Sequence, residues 1–300
     1  MTGPLVSVVV ATYRRNEELR AALASLAAQT YPNIEVVLVD DNGDDGWNQT
    51  VSSIAQAFRA QAPEVLFQQL TNHPNQGSAG ARNVGIRAAK GDYITFLDDD
   101  DEYLPEKITR QLQAMVNAKA DYSLTDLRLY REDGKLIDQR MRTYLQTAAP
   151  ESLLTYHLMY HMTGTDTMMF RRDYLLRIGG FPPIDVGDEF YLMEAAIAEG
   201  GTFCYVPGCD VKAYVHSGES GLSSGESKIA GEIRLYAFKQ SFFHQIDGKS
   251  RRYIQMRHYA VLAFAELRRR RYGAFLSNGF RSFLSSPSAC VRLLLQRKGL

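Results

Sequence analysis

Cysteine is scarce in these 300 residues: Cys204, Cys209 and Cys290 are the whole complement. So small and odd a number excludes a disulfide-stapled scaffold, and no CxxC pair or Cys/His cluster has zinc-site spacing. Such usage implies a reducing cytoplasm. No uninterrupted apolar run reaches the length that a conventional transmembrane helix needs, about 18 residues. Met1-Thr2-Gly3-Pro4 sets no basic residue ahead of the first apolar run, so no secretory signal is expected. No G-x-x-x-x-G-K-[S/T] occurs, which excludes a P-loop. Internal repeats and low-complexity segments are also missing.

What is present suits a folded chain. Apolar residues make up 45% and charged residues 23%, enough to bury a substantial core and to exclude wholesale disorder. The length suggests one large domain or two modest ones. The valine-rich run Leu5–Ala11 reads as a parallel strand covered on both faces. Asn16 before Glu17 and Glu18 reads as an N-cap with acids on the first helical turn. Further strands are expected at Ile34–Asp40, Val65–Leu70 and Tyr93–Leu97, with helices near Gln49–Ala60 and Ala79–Ala89. That alternation makes βαβ units in an open, mostly parallel α/β sheet flanked by helices on both faces. After Asp101 the pattern loosens. A helix at Pro105–Asn117, a strand at Tyr122–Thr125 and a hairpin over Leu127–Gln139 are expected. Helices at Glu151–Tyr160 and Asp188–Glu199 flank a strand at Thr167–Phe170. Two more strands follow at Thr202–Val206 and Val211–Val215. From Lys228 the pattern is helical, broken near Asp247-Gly248 and Ser285–Pro287.

In an open α/β sheet, ligands bind beyond the carboxyl ends of the strands. Strand one ends in Thr12-Tyr13-Arg14-Arg15, strand two in Asp40-Asp41-Asn42 and strand four in Asp98-Asp99-Asp100-Asp101. A polar turn explains the second as readily as a site does. Four consecutive aspartates are another matter, because crowded like charges are tolerated most easily when a divalent cation neutralises them. Hard carboxylate oxygens suit Mg²⁺ or Mn²⁺, which bridge to substrate phosphates. The glycines of Asn75–Asn83 could cradle a phosphate at a helix N-terminus. They are spaced G-x-x-G, which argues against a dinucleotide fingerprint.

Four blocks in order, Val6–Arg15 (VSVVVATYRR), Val39-Asp40-Asp41, Asn75–Gly85 (NQGSAGARNVG) and Phe96–Pro105 (FLDDDDEYLP), resemble inverting glycosyltransferases of family 2 with the A-type fold. Met169–Pro182 (MFRRDYLLRIGGFP), Gly187-Asp188-Glu189 and Tyr214-Val215-His216 resemble the acceptor half of that family. The resemblance spans about residues 5–220 and implies a catalytic domain over 1–222, with a nucleotide-binding half to about 101 and an acceptor half from about 102. It implies a nucleotide-sugar donor, UDP-linked by preference, and Mn²⁺ or Mg²⁺ as cofactor. Thr12 and Asp41 match residues that hold the base, with Tyr13 and Arg14 beside them, and Arg82 matches a basic residue near base and diphosphate. Asp98 and Asp100 match the DXD pair, in which Asp100 ligates the metal while Asp98 or Asp99 holds the ribose. His216 matches a position that completes metal coordination or touches the diphosphate. Asp188-Glu189 stands where the family has Glu-Asp. Alignment on Leu192 makes Glu189 the base, and Asp188 is the alternative.

The chemistry is consistent with these roles. A leaving diphosphate needs its developing charge offset, and the attacking hydroxyl must lose a proton to a carboxylate across the cleft. Without the resemblance, Asp188-Glu189 reads as stabilising charge on a helix N-terminus. One rival is a nucleotidyltransferase, whose glycine-rich loop after strand one has no counterpart in Thr12–Asn16. Another, a nucleic-acid-binding protein, is opposed by the acidic crevice. Nucleic acid is therefore not expected as a partner. A saccharide or lipid-linked saccharide acceptor, in surface polysaccharide or glycolipid synthesis, is.

The net charge of zero hides a split. Residues 1–248 carry 22 basic against 33 acidic side chains, and residues 249–300 carry 12 against one, Glu266. Arg268–Arg271 forms a four-arginine block among aromatic and aliphatic residues. Residues 223–300 thus read as a basic helical extension with two readings. It attaches peripherally to an anionic membrane surface at the inner face of the cell membrane, or it packs on the body or on a sister subunit of a homo-oligomer. His157 and His161, at i and i+4, could ligate metal but suit packing better beside Tyr156, Met159 and Met162.

Overall fold

The computed structural model describes residues 3–184, 187–215 and 225–297. It divides into two units, one of residues 1–153 and 162–216, the other of 154–161 and 217–300.

The first unit opens with β1 (Val6–Thr12), α1 (Glu17–Ala27), β2 (Ile34–Asp40), α2 (Asp45–Gln61), β3 (Leu66–Thr71), α3 (Gly77–Ala88) and β4 (Tyr93–Phe96). It continues through β5 (Glu102–Tyr103), α4 (Lys107–Ala118), β6 (Tyr122–Arg131), β7 (Leu136–Arg140), α5 (Pro150–Tyr160, whose end belongs to the second unit), β8 (Met168–Arg171), α6 (Arg172–Arg177), α7 (Asp188–Ala198) and β9 (Phe203–Val215). The sheet order is β3-β2-β1-β4-β8-β6-β9-β5, with β7 paired to β6. From β3 to β4 every pairing is parallel. Beyond β4 the sheet becomes mixed, because β8 enters antiparallel to both β4 and β6.

Alternation along the strands sends side chains to two cores. Val6, Val8, Val10, Val36 and Leu38 pack with Leu19, Leu23 and Leu26 of α1 and with Val51, Ile54 and Phe58 of α2. Val9 and Val39 point to the other face, where α3 lies so close that a Cβ on Gly85 would sit 2.4 Å from Val9 Cγ1 and 3.3 Å from Val39 Cγ2. Gly85→Ala is therefore expected to destabilise. Overpacking against buried β-branched side chains costs about 1–3 kcal/mol, more than the gain of about 1 kcal/mol in helix propensity. A urea titration with an unchanged or higher midpoint would refute this close approach.

Three local expectations differ from the structure. Asn16 does not cap α1; its Oδ1 accepts from Arg20 Nε at 3.3 Å, so the arginine has taken the cap acceptor. The expected strand and hairpin arm over 122–130 are one strand, β6, and the two expected strands over 202–215 are likewise one, β9. Register shifts at Thr125–Leu127 absorb the irregular Pro207-Gly208 stretch without breaking the pairing. The two-residue β5 carries too little sequence signal to be foreseen.

In the second unit, α8 (Gly225–Ser241), α9 (Gly248–Arg268), α10 (Tyr272–Ser285) and α11 (Pro287–Arg297) follow one another. Asp247 caps α9 through its backbone N–H neighbours Lys249 and Ser250. The chain also breaks at Arg269–Arg271, the last three residues of the four-arginine block, between α9 and α10. Among the described residues no helix is long and apolar enough to cross a membrane.

Candidate active site

The carboxyl ends of β1, β2 and β4 meet as parallel neighbours, and the polar residues that end them interlock. At the end of β1, Arg14 adopts φ 54°, and its N–H donates to Asn42 Oδ1 at 2.7 Å. Tyr13 N donates to Asp99 Oδ2 at 3.1 Å. The Tyr13 ring is exposed, with the Arg14 guanidinium 5.1 Å from its centroid. Thr12 is buried. At the end of β2, Asp41 is buried and its Oδ1 accepts from Asn72 Nδ2 at 2.8 Å and Gln76 N at 2.9 Å. Asp41 thereby pins the loop that leads into α3.

Arg82, on α3, is the hinge of the arrangement. One nitrogen donates to Asp98 at 2.6 Å and the other to Asp188 at 3.0 Å. Burial works against its charge, but Asp98 and Asp188 outweigh burial and hold the guanidinium above its ordinary range. The face of Phe181 lies 5.3 Å away. The end of β4 and the start of α7, 90 positions apart in the chain, are thus within one guanidinium of each other.

The four aspartates divide into two environments. Asp100 pairs with Arg15 at 2.7 Å, and Asp98 with Arg82. Their side chains keep 19% and 33% of their exposure, so both open toward solvent. Asp99 is pushed up to about 7 by burial and by Asp100, with Tyr13 N and Arg15 opposing. Asp101 is buried, and its Oδ1 accepts from Tyr214 N at 2.8 Å. Beside it is Asp166, which the sequence did not single out. Antiparallel pairing of β8 with β4 carries this residue back to the aspartate run, and its Oδ1 accepts from Asp98 N at 2.6 Å. Burial and Asp98 raise Asp166 to about 7; burial and Asp166 raise Asp101 well above the carboxylate range.

Oxygens of Asp98, Asp101 and Asp166 lie within 4.8 Å of one another. So dense a set of hard oxygens fits a divalent cation such as Mg²⁺ or Mn²⁺. Lys107, fully buried behind them, donates to Thr95 Oγ1 at 2.7 Å and Tyr103 Oη at 2.8 Å. Burial lowers its pKa well below the usual lysine range. An isolated Lys in a helical pattern gives no hint of such burial.

Asp188 and Glu189 occupy the first turn of α7 after Gly187, whose φ is 80°. Asp188 is buried; burial raises its carboxyl to about 7, Arg82 opposes this, and Glu189 adds to it. Glu189 is half-buried. His216 lies outside the described residues. His157 and His161 set their rings 6.3 Å apart and belong to no group of three metal-ligating side chains among the described residues.

Residues 7–179 match the family described as glycosyl transferase family 2. The chain belongs to that family. It has the A-type fold, shared with a structure of Staphylococcus aureus TarS 1–349 in complex with UDP-GlcNAc. The two align with a TM-score of 0.60 at 18% identity, covering 92% of this chain and 89% of that one. A mannosyltransferase of Pyrobaculum calidifontis in complex with GDP-Man and Mn²⁺ aligns with a TM-score of 0.56 at 16% identity, covering 98% and 86%. At such identity these likenesses speak to fold alone. Among sequence relatives is Escherichia coli WfaP, a UDP-Glc:α-D-GlcNAc-diphosphoundecaprenol β-1,3-glucosyltransferase. It is 31% identical over 185 residues, 61% of this chain and 67% of that protein. The chain spans only 50–63% of the length of the first curated relatives it matches.

Proposed function

We propose that this glycosyltransferase moves a sugar from a nucleotide-diphosphate donor, UDP-linked by preference, to an acceptor hydroxyl with inversion at the anomeric carbon. The acceptor would be a saccharide or lipid-linked saccharide in the assembly of a surface polysaccharide or glycolipid, at the cytoplasmic face of the membrane. WfaP, whose name carries both a UDP-sugar and a diphosphoundecaprenol acceptor, supports the donor and acceptor classes.

The observation that carries this reading is the Arg82 clamp. It brings the aspartate run and the carboxylate pair that opens α7 to one guanidinium, which supports a single displacement between them. By resemblance Asp98 and Asp100 would hold Mn²⁺ or Mg²⁺, and their side chains are more exposed than that of Asp99; the cluster of Asp98, Asp101 and Asp166 is the alternative seat. Bound there, the cation supplies positive charge against the leaving diphosphate. Asp101 and Asp166 position the run from behind, through Tyr214 N and Asp98 N. Thr12, Tyr13, Arg14 and Asp41 frame the base and Asp99 the ribose. Glu189 takes the acceptor proton while the hydroxyl oxygen bonds to the anomeric carbon and the diphosphate departs with its electron pair. No side chain forms a covalent sugar intermediate, and inversion follows.

In thermal unfolding, UDP is expected to raise the midpoint only when Mn²⁺ or Mg²⁺ is present. At a hundredfold excess over Kd the stabilisation is about 2.7 kcal/mol, or roughly 4 °C for a chain of this size. Equal stabilisation in EDTA, or none by any nucleoside diphosphate with cation, would remove the donor reading.

A further inference from the structure

In the second unit, α10 and α11 present apolar side chains outward. A surface helix ordinarily turns its apolar stripe to the core, but α10 does not. Its inward residue is Ser282, buried, with Oγ donating to Met256 O of α9 at 2.9 Å. Phe275 and Gly279 accompany it, half-buried. Tyr272, Leu276, Phe280, Phe283 and Leu284, which recur at helical spacing, are all exposed. Leu276 keeps 67% of its exposure, Phe280 63% and Leu284 61%. On α11 the pattern repeats: Cys290 is buried while Val291, Leu294 and Leu295 are exposed. Single exposed apolar side chains are ordinary, but a stripe of them marks an interaction surface.

Charge selects the partner. Arg268, Arg270 and Arg271 are exposed just before α10, Arg281 on it and Arg292 on α11. Glu266 is the sole acid from residue 249 onward, and Arg269 and Arg271 already lie 3.8 and 4.0 Å from it. A second copy docking through the same face would bring two strongly basic segments together. A bilayer with anionic headgroups offers what both features need, an apolar interior for the stripe and negative charge beside it. From Tyr272 to Leu284 the stripe extends about 18 Å at 1.5 Å per residue, too short to span a hydrocarbon core of about 30 Å. Its length suits a helix lying in the interface.

We propose that α10 and α11 are a peripheral membrane anchor, with Leu276, Phe280 and Leu284 inserted among the acyl chains of an anionic leaflet and the neighbouring arginines on its headgroups. The inference stands on the second unit alone and does not rest on the proposed reaction.

The test is co-sedimentation of the full chain with phosphatidylglycerol-containing vesicles and with phosphatidylcholine vesicles. Wild type should pellet with the first at low salt, much less with the second, and be released at high salt, where exposed charges are screened. Phe280→Glu/Leu284→Glu should weaken vesicle binding at least tenfold, since two apolar insertions are lost and like charge is added to an anionic surface. Arg268→Gln/Arg270→Gln should weaken it by about fivefold per arginine. All four positions are exposed, so unfolding midpoints should match wild type and show that the losses are not unfolding. Failure of wild type to pellet, or undiminished pelleting of the glutamate variant, overturns the anchor. Sedimentation of wild type as a dimer that the glutamate variant dissolves, without vesicle binding, would overturn it in favour of a second copy of the chain.

Discussion

Glu189→Gln is expected to lower turnover by about 10² or more, the usual order for loss of a general base, while donor affinity stays near wild type. The reason is the division of labour at the start of α7. Asp188 is buried and its Oδ2 is committed to Arg82 at 3.0 Å. An acceptor would have to displace a buried ion pair to use that oxygen. Glu189 is next along the turn and half-buried, with its side chain in a hydrogen bond to Asp188. Asp188→Asn should act differently, loosening the Arg82 clamp and thus raising KM for the donor as well as affecting kcat. Steady-state kinetics on both variants decides the matter. If Glu189→Gln keeps its turnover and Asp188→Asn loses it, the two acids exchange roles. Full activity in both would place the base elsewhere.

The second large effect is expected at the aspartate run. Asp100→Ala should abolish the Mn²⁺-dependent increment in UDP affinity, a loss of about a hundredfold or more in Kd, because it removes a hard oxygen ligand where the diphosphate approaches. The sign without cation is diagnostic. Asp100 is the nearest acid to Arg15, at 2.7 Å, so its removal leaves that guanidinium only the longer contacts with Asp99 and Glu18, both 3.8 Å, and makes the site more positive. UDP binding in EDTA should then hold steady or strengthen slightly. Asp166→Asn serves as the comparison, since its buried side chain supports Asp98 N from behind and should cost far less. Calorimetric titrations with and without Mn²⁺ report both numbers. Should Asp166→Asn lose the increment while Asp100→Ala keeps it, the cation belongs among Asp98, Asp101 and Asp166.

Much of the first unit is legible from local pattern. The valine-rich runs that become β1 and β2, and the alternation of strands and helices as far as β4, rest on periodicity between near neighbours in the chain. So does the placing of acids at strand ends, which brought Asp98–Asp101 forward as candidates. Where local signals competed, reading failed: Asn16 has the composition of a cap, but Arg20 one turn later takes its oxygen. The sequences of the long strands β6 and β9 look like separate pieces, because the Pro207-Gly208 irregularity resembles a turn until a partner strand carries pairing across it.

The sequence by itself determined the family, through four blocks in order, and with it the fold class, the strand-end aspartates and the acid pair before α7. It also determined the charge split that sets residues 249–300 apart. Only the tertiary structure decided which of these groups meet. Arg82 joins Asp98 to Asp188 because α3 packs on one face of the sheet at Gly85, a contact no spacing encodes. Asp166 reaches Asp98 because β8 runs antiparallel beside β4, and strand direction is set by long-range pairing and burial, not by the residues of β8 alone. The apolar stripe of α10 is plain in the sequence. That it faces outward follows from Ser282, which is buried against Met256 O of α9 and leaves the large side chains on the far side.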